Sequence, residues 1–235
     1  MNIIADLHTH TLVSEHAYST VDEMVNSAKE KGFLALAITD HGPASSDGAK
    51  SVHFKAMHGL PDYINGVRLL RGCEANIVDY SGKLDLSENV LEYLDFVVAS
   101  YHEDAIGPLT VKDHTNGYAE VVKNANVDCL GHVGNPKFKF DIEYIVKLCK
   151  EHNKLIEINS SSFKVRKGSS PICREVALAC KRYETNIVIT SDAHSKYKVG
   201  DFKDAVELLL SIDFPADLIL NTDYYKLMEY LGIEK

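Results

Sequence analysis

The sequence predicts an α/β fold with a parallel sheet at its centre. Three observations carry that expectation. Short β-branched or apolar runs alternate with segments of helical period along the chain. The strand runs are continuously apolar, as strands covered on both faces are. No linker, repeat or low-complexity stretch interrupts the pattern. A closed barrel and an open doubly wound sheet both fit this alternation. In either one, functional groups collect at the carboxyl ends of the strands.

The first strand is NIIADL, residues 2–7. TVDEMVNSAKEKG follows as a helix, with Thr20 and Glu23 spaced as a capping box and Gly32 as its stop. LALAIT (34–39) is the second strand, and residues 42–60 read as a long loop, rich in Gly and Ser at its start. VRLLRGC (67–73) is the third strand, followed by a short helix in LSENVLEYL. DFVVASY (95–101) is the fourth strand, and TNGYAEVVKNAN is helical despite Gly117. VDCLGH (127–132) is the fifth strand. A helix starts at Asp141, and KLIEIN (154–159) is the sixth strand. SPICREVALACKRYE is a helix with Ser170 as N-cap and Pro171 in the first helical position. NIVITSD (186–192) is the seventh strand, and helices near DFKDAVELLLSI and TDYYKLMEYL close the chain.

The 235 residues, 45% of them hydrophobic, suffice for one sizeable core, and 1–235 reads as one catalytic domain. The formal net charge of -9 disfavours nucleic acid as a partner. An anionic substrate must then be attracted locally, by metal or by a few Arg and Lys. The five cysteines (Cys73, Cys129, Cys149, Cys173 and Cys180) contain no CxxC and read as reduced thiols, which points to the cytoplasm. The opening residues lack a signal-peptide pattern and no apolar run approaches a membrane span, so no membrane partner is expected.

The histidines fall where this fold would use them. His8 and His10 follow the first strand, His41 the second, Glu74 the third, His102 the fourth, His132 the fifth, and Asp192 and His194 the seventh. One sheet or barrel brings those ends to one face. Residues i and i+2 share a side, so His8 and His10 point together. Nitrogen and carboxylate donors without cysteine suit Zn, Mn or Fe. With His16 the set has nine members, more than one ion needs, and a carboxylate such as Glu74 can bridge two. His16 lies past the strand end, which leaves a local role open. His53, His58, His114 and His152 lack strand-end placement and read mainly as loop or surface residues. The 42–60 loop is nevertheless expected to cover part of the site and bring His53 near the substrate.

Ser161 and Arg166 lie in SSFKVRKGSS, just past the sixth strand. They are candidates for binding substrate phosphate, with Arg166 as a forked donor. An exposed basic loop is the alternative. Asp6 and Asp40 flank ligand positions and are expected to orient imidazoles.

The segments DLHTHT, ITDHG, GCEANI, SYHED, GHVGNP and SDAHS resemble the motifs of the PHP (polymerase and histidinol phosphatase) superfamily, in particular its stand-alone YcdX-like phosphatases. The resemblance implies a distorted, TIM-like (β/α)7 barrel with three divalent cations, zinc favoured over manganese or iron. One cation would take His8, His10, Glu74 and Asp192; a second Glu74, His102 and His132; a third His16, His41 and His194. The implied activity is phosphomonoester hydrolysis on a small phosphorylated metabolite, with a metal-bound hydroxide attacking phosphorus and with Glu74, Asp192 and His194 at the reacting centre. The resemblance also allows a homotrimer. Competing readings are an amidohydrolase-type hydrolase, a nuclease acting on nucleic-acid ends, and a non-catalytic metal-binding module.

Overall fold

The computed structural model describes residues 1–233. Strands and helices follow one another as β1 (Ala5–Asp6), α1 (Val21–Glu30), β2 (Ala35–Ile38), α2 (Ser51–Ala56), β3 (Tyr63–Ile64), β4 (Val67–Asn76), α3 (Glu88–Leu91), β5 (Phe96–Ser100), α4 (Val111–Lys123), β6 (Cys129–Leu130), α5 (Ile142–Glu151), β7 (Leu155–Asn159), α6 (Ser162–Val165), α7 (Ser169–Tyr183), β8 (Ile187–Thr190), α8 (Lys203–Ser211) and α9 (Tyr224–Tyr230). Seven strands pair in parallel in the order β1-β2-β4-β5-β6-β7-β8, and β3 pairs antiparallel with β4. The result is a nearly closed barrel with helices outside, the TIM-like form of the two expected architectures.

Strand residues alternate between two cores. Ala35, Ala37, Leu70, Phe96, Val98, Leu155 and Val188 pack with one another inside the barrel. Their neighbours Leu36, Ile38, Leu69, Val97, Ala99, Ile156, Ile158, Ile187 and Ile189 pack against the helices. This is why the strands read as unbroken apolar runs. Leu227 and Met228 of α9, with Leu220, join the interior cluster and plug its amino-terminal end. Moving up the same strand faces, the lumen becomes polar: Glu74 lies four residues above Leu70, Glu157 two above Leu155, Ser100 two above Val98 and Thr190 two above Val188.

The seam between β1 and β8 closes without a full ladder. Thr9 and Ala193 form a bridge at the top, and the His10 amide donates to the Ala193 carbonyl at 2.8 Å. Below, fully buried Asn221 stands in for the missing strand contacts. Its Nδ2 donates to the Ala5 and Ile189 carbonyls at 2.9 and 2.7 Å, and its Oδ1 accepts from the Ile189 amide at 3.1 Å. Its carbonyl accepts from the Ile4 amide at 2.9 Å.

The capping box of α1 forms as expected, with Gly32 just past the helix at φ +80°. Several boundaries differ from the sequence reading. The expected strand over 2–7 has ladder pairing only at Ala5–Asp6, because the Ile4 amide turns to Asn221. Helix α7 is capped by Gly168, not Ser170: Gly168 adopts φ +94°, and the helix starts at Ser169. Pro171 still sits in the first turn, where no intrahelical N–H is missed. The 42–60 stretch contains α2 and a short 3-10 turn at Met57–Gly59. The β3–β4 hairpin turns on Asn65 and Gly66, both at positive φ. Its Asn-Gly pair is a recognised hairpin signal that the strand reading passed over.

Replacing Asn221 with Ala strips three side-chain hydrogen bonds from buried peptide groups. The variant should be less stable by about 3–5 kcal/mol. A denaturant midpoint indistinguishable from the wild type would show that the seam closes by other means.

Candidate metal centre

The polar upper lumen gathers the strand-end residues within contact of Glu74. Glu74 is fully buried on β4, and His8, His10 and His132 are buried around it. His132 and Asp192 both have positive φ, +26° and +55°. Each follows a strand directly or closely, and the left-handed turn is strain of the kind that packing must hold in place.

In one group, two imidazoles face two carboxylates. Glu74 Oε2 lies 3.3 Å from His8 Nε2 and 3.7 Å from His10 Nε2. Asp192 Oδ1 lies 3.6 Å from His8 Nε2 and 3.2 Å from His10 Nε2. Separations of this size are those of neighbouring donors on one ion with Zn–N and Zn–O lengths of about 2.0–2.2 Å. A second group meets the other oxygen of the same carboxylate. Glu74 Oε1 is 2.8 Å from His132 Nε2 and 3.3 Å from His102 Nε2, and those two nitrogens are 3.1 Å apart. Ser100 Oγ donates to Glu74 Oε1 at 2.7 Å. Gly131 makes room for that contact, since a Cβ there would collide with Ser100 Oγ.

The third group is looser. His16 is 51% exposed, and its ring stacks on His194 at 4.3 Å and on His41 at 5.3 Å. The donor atoms of His41 and His194 gather more closely with His10 than with His16. His41 Nδ1 also faces Glu74 Oε2 at 2.9 Å.

The electrostatics favour cations here. Burial pushes His10 down to about 3 and His132 down to about 4, with neighbouring imidazoles and Arg166 adding to it, so both rings are neutral near pH 7. Burial opposes ionisation of Glu74 and Asp192, yet the surrounding histidines hold both well below the usual carboxylate range. The site therefore sets ionised buried carboxylates among imidazoles of two kinds: His10 and His132 are neutral, while the facing carboxylates, Glu157 and Glu74 first, overcome burial and hold His8 well above its ordinary range, and Glu74 raises His41. His8 Nε2, both nitrogens of His10, Glu74 Oε2 and His194 Nε2 are buried with no hydrogen-bond partner. Unpaired buried polar atoms are costly, and aimed at shared points they fit divalent cations.

The imidazoles are held from behind. Glu157 is fully buried, and its Oε1 accepts from His8 Nδ1 and Thr190 Oγ1, both at 2.6 Å. Its Oε2 accepts from the His132 amide and from Asn159 Nδ2. The Asp192 carbonyl takes His194 Nδ1 at 2.9 Å, Asn76 Oδ1 takes His102 Nδ1 at 2.7 Å, and Asp47 takes His16 Nδ1. With Nδ1 held as the donor in each case, Nε2 is the nitrogen that a cation would take. Asp6 and Asp40 act otherwise than expected. Asp6 accepts from the Ser191 amide and hydroxyl and the Gly200 amide, and Asp40 accepts from Thr11 and Ser14. They tie loops together; no ligand imidazole donates to either.

A cavity of about 560 Å³ opens above the cluster. His16, His41, His102, Asp192 and His194 line its floor, and Ser161, Lys164 and Arg166 line its wall. The expected substrate residues Ser161 and Arg166 are therefore at the cavity. His53 is not among its lining residues; its ring faces Asp40 at 3.5 Å. The 42–60 segment does reach the cavity, but through Ser45 and Asp47.

A PHP domain family model matches residues 6–161. The chain belongs to the PHP domain family. It is 46% identical over 235 residues to a protein of Acetivibrio thermocellus named a probable phosphatase, covering 100% of this chain and 98% of that one. A protein of the same name from Caldicellulosiruptor saccharolyticus is 43% identical over 233 residues, covering 99% and 98% of the two chains. The histidinol phosphate phosphatase of Lactococcus lactis, solved with zinc, L-histidinol and phosphate, superposes with a TM-score of 0.67. That match spans 92% of this chain and 95% of the other at 17% identity, a likeness of fold.

Glu157, Asn76 and Asp47 were missed in the sequence reading. Glu157 left a usable signal: a lone carboxylate in LIEIN, on the one strand without a strand-end His or metal-competent carboxylate.

Chelator treatment tests the cluster directly. Removing cations leaves Glu74 and Asp192 facing each other's field, so the melting temperature should fall by about 5–10 °C and return on adding zinc. A melting curve indifferent to chelator and zinc would argue against a resident metal.

Proposed function

We propose that this protein is a metal-dependent phosphoric monoester hydrolase acting on a small phosphorylated metabolite in the cytoplasm, with residues 1–235 as one catalytic domain. The observation that carries this reading is the pair of ligand groups sharing Glu74 beneath a cavity whose wall bears Arg166. The names of the relatives in Acetivibrio thermocellus and Caldicellulosiruptor saccharolyticus point the same way. Three cations, with zinc favoured, are the reading we adopt for the nine donors His8, His10, His16, His41, Glu74, His102, His132, Asp192 and His194. When bound, such cations supply Lewis-acid polarisation of a phosphoryl group and lower the pKa of water.

The chain's own residues do the rest. Glu74 and Asp192 stay ionised and hold two groups of donors in register. His194, anchored through Nδ1 to the Asp192 carbonyl, presents Nε2 toward the cavity side of the cluster. Arg166 Nη1 hydrogen-bonds Ser162 Oγ at 3.1 Å and lies 3.6 Å from Asp192 Oδ2. That fixes the guanidinium at the wall and leaves its remaining N–H groups for phosphate oxygens. Ser161 offers a further donor beside it. The work is positioning and charge stabilisation, which is what phosphoryl transfer demands.

Hydrolysis of an aryl phosphate by the zinc- or manganese-loaded protein tests this reading. Glu74→Gln should lower kcat by about 10²–10³-fold or more while the protein stays folded. Arg166→Ala should raise KM about tenfold, the size of one lost charge-assisted hydrogen bond. Amide or lactone hydrolysis without phosphate release would instead favour the amidohydrolase-type reading.

A further inference from the structure

We infer that Asp85, outside the cavity, is a positioning residue that fixes the tautomer of His102 through the side-chain amide of Asn76. The inference rests on the metal reading above and extends it to residues one layer further out.

The argument starts from donors and acceptors. Asp85 Oδ1 accepts from the Asn76 amide at 2.9 Å, and Oδ2 accepts from the Ala44 amide at 2.9 Å and Asn76 Nδ2 at 2.6 Å. All three partners are N–H donors, so the carboxylate acts only as an acceptor. Asn76 Nδ2 also faces the Gly42 carbonyl at 3.2 Å, a second group that can only accept. The NH₂ of Asn76 must therefore point toward Asp85 and Gly42. Its Oδ1 is left facing Ser45 Oγ at 3.0 Å and His102 Nδ1 at 2.7 Å.

A carbonyl oxygen at 2.7 Å requires a proton on His102 Nδ1. Nε2 is then bare, and it is the atom that faces Glu74 Oε1 and His132 Nε2. If the Asn76 amide turned over, NH₂ would face Nδ1, the proton would move to Nε2, and the ligand position would be blocked. Asp85 sets which of these holds. The same carboxylate also ties down Ala44, in the loop that carries Ser45 and Asp47 to the cavity. Gly42 is required beside it, since a Cβ there would collide with Asp85 Oδ2.

The test uses the full chain with ¹⁵N-labelled histidine at pH 8, where an ordinary imidazole is neutral. In the metal-stripped wild type, His102 should already be in the Nδ1–H form. An Nε2–H form there would overturn the inference without any variant. In Asp85→Asn, one face of the new side chain presents NH₂ to partners that are all donors, so His102 should shift toward Nε2–H. Zinc titrated against a chromophoric chelator should bind more weakly at one site by about 10–100-fold, with the tighter binding unchanged. Wild-type zinc binding and tautomer in Asp85→Asn would sink the proposal. Neither readout depends on which substrate the enzyme hydrolyses, so failure of the phosphatase reading would be seen separately, in the activity assay.

Discussion

Glu74 is fully buried in the lumen, with both carboxylate oxygens facing imidazoles. An isolated ion there would cost several kcal/mol, and it would take up a proton unless paired. Glu157 and Asp192 share the same enclosure. Three ionised carboxylates so close together need positive charge among them. His8 and His41, raised by the carboxylates they face, supply part of it; His10, His132 and His194 do not, because burial lowers the affinity of each for a proton. Divalent cations would supply the rest, and the deprotonated imidazole is the form that binds them.

Such a site works only if each imidazole presents the right nitrogen. The structure solves this ring by ring, with a different acceptor each time: a carboxylate for His8, a side-chain amide oxygen for His102, a main-chain carbonyl for His194, and a loop carboxylate for His16. Glu157 has the widest reach. It pins His8 through the ring and His132 through the main chain, joining the two ligand groups from beneath. It also accepts from Thr190 on β8, so the two strands nearest Asp192 are locked to the same carboxylate. An apolar residue at 157 would suit the lumen better for stability alone. Positioning is the better explanation for an acid at that place.

The sequence reveals the donors more readily than the groups that orient them. A histidine after an apolar run is conspicuous, because strand ends are few and imidazole is rare. His8, His10, His41, His102, His132 and His194 all stand out this way, and the parallel sheet brings them together. Asn76 and Glu157 sit inside strands, where a polar residue could equally face a solvated surface. Only the barrel's closure shows that those positions point into the lumen. Asp47 lies in a loop whose path depends on Asp85 and Gly42, a long-range contact with no local pattern. His53 shows the converse: it looked poised near the substrate, but α2 turns it toward Asp40. The Gly168 cap of α7 was hidden by the serines after it, which satisfy the usual N-cap preference equally well.

The division of the lumen explains why one end of the barrel can tolerate so much buried charge. Below Glu74 the interior is apolar and filled, with α9 packed into its mouth and Asn221 closing the seam. That half supplies ordinary hydrophobic stability and asks nothing of the ligands. Above it, the same strands carry residues that would be unfavourable in a folded core without partners: buried acids, unpaired imidazole nitrogens, and left-handed backbone at His132 and Asp192. Each strand thus has a lower segment that holds the fold and an upper segment that holds the site. Because side chains on one face recur every second residue, a one-residue slip of β4 or β7 would turn Glu74 or Glu157 out of the lumen and an apolar residue in. The packed lower half sets the register, and the register puts the donors within cation-binding distance of one another.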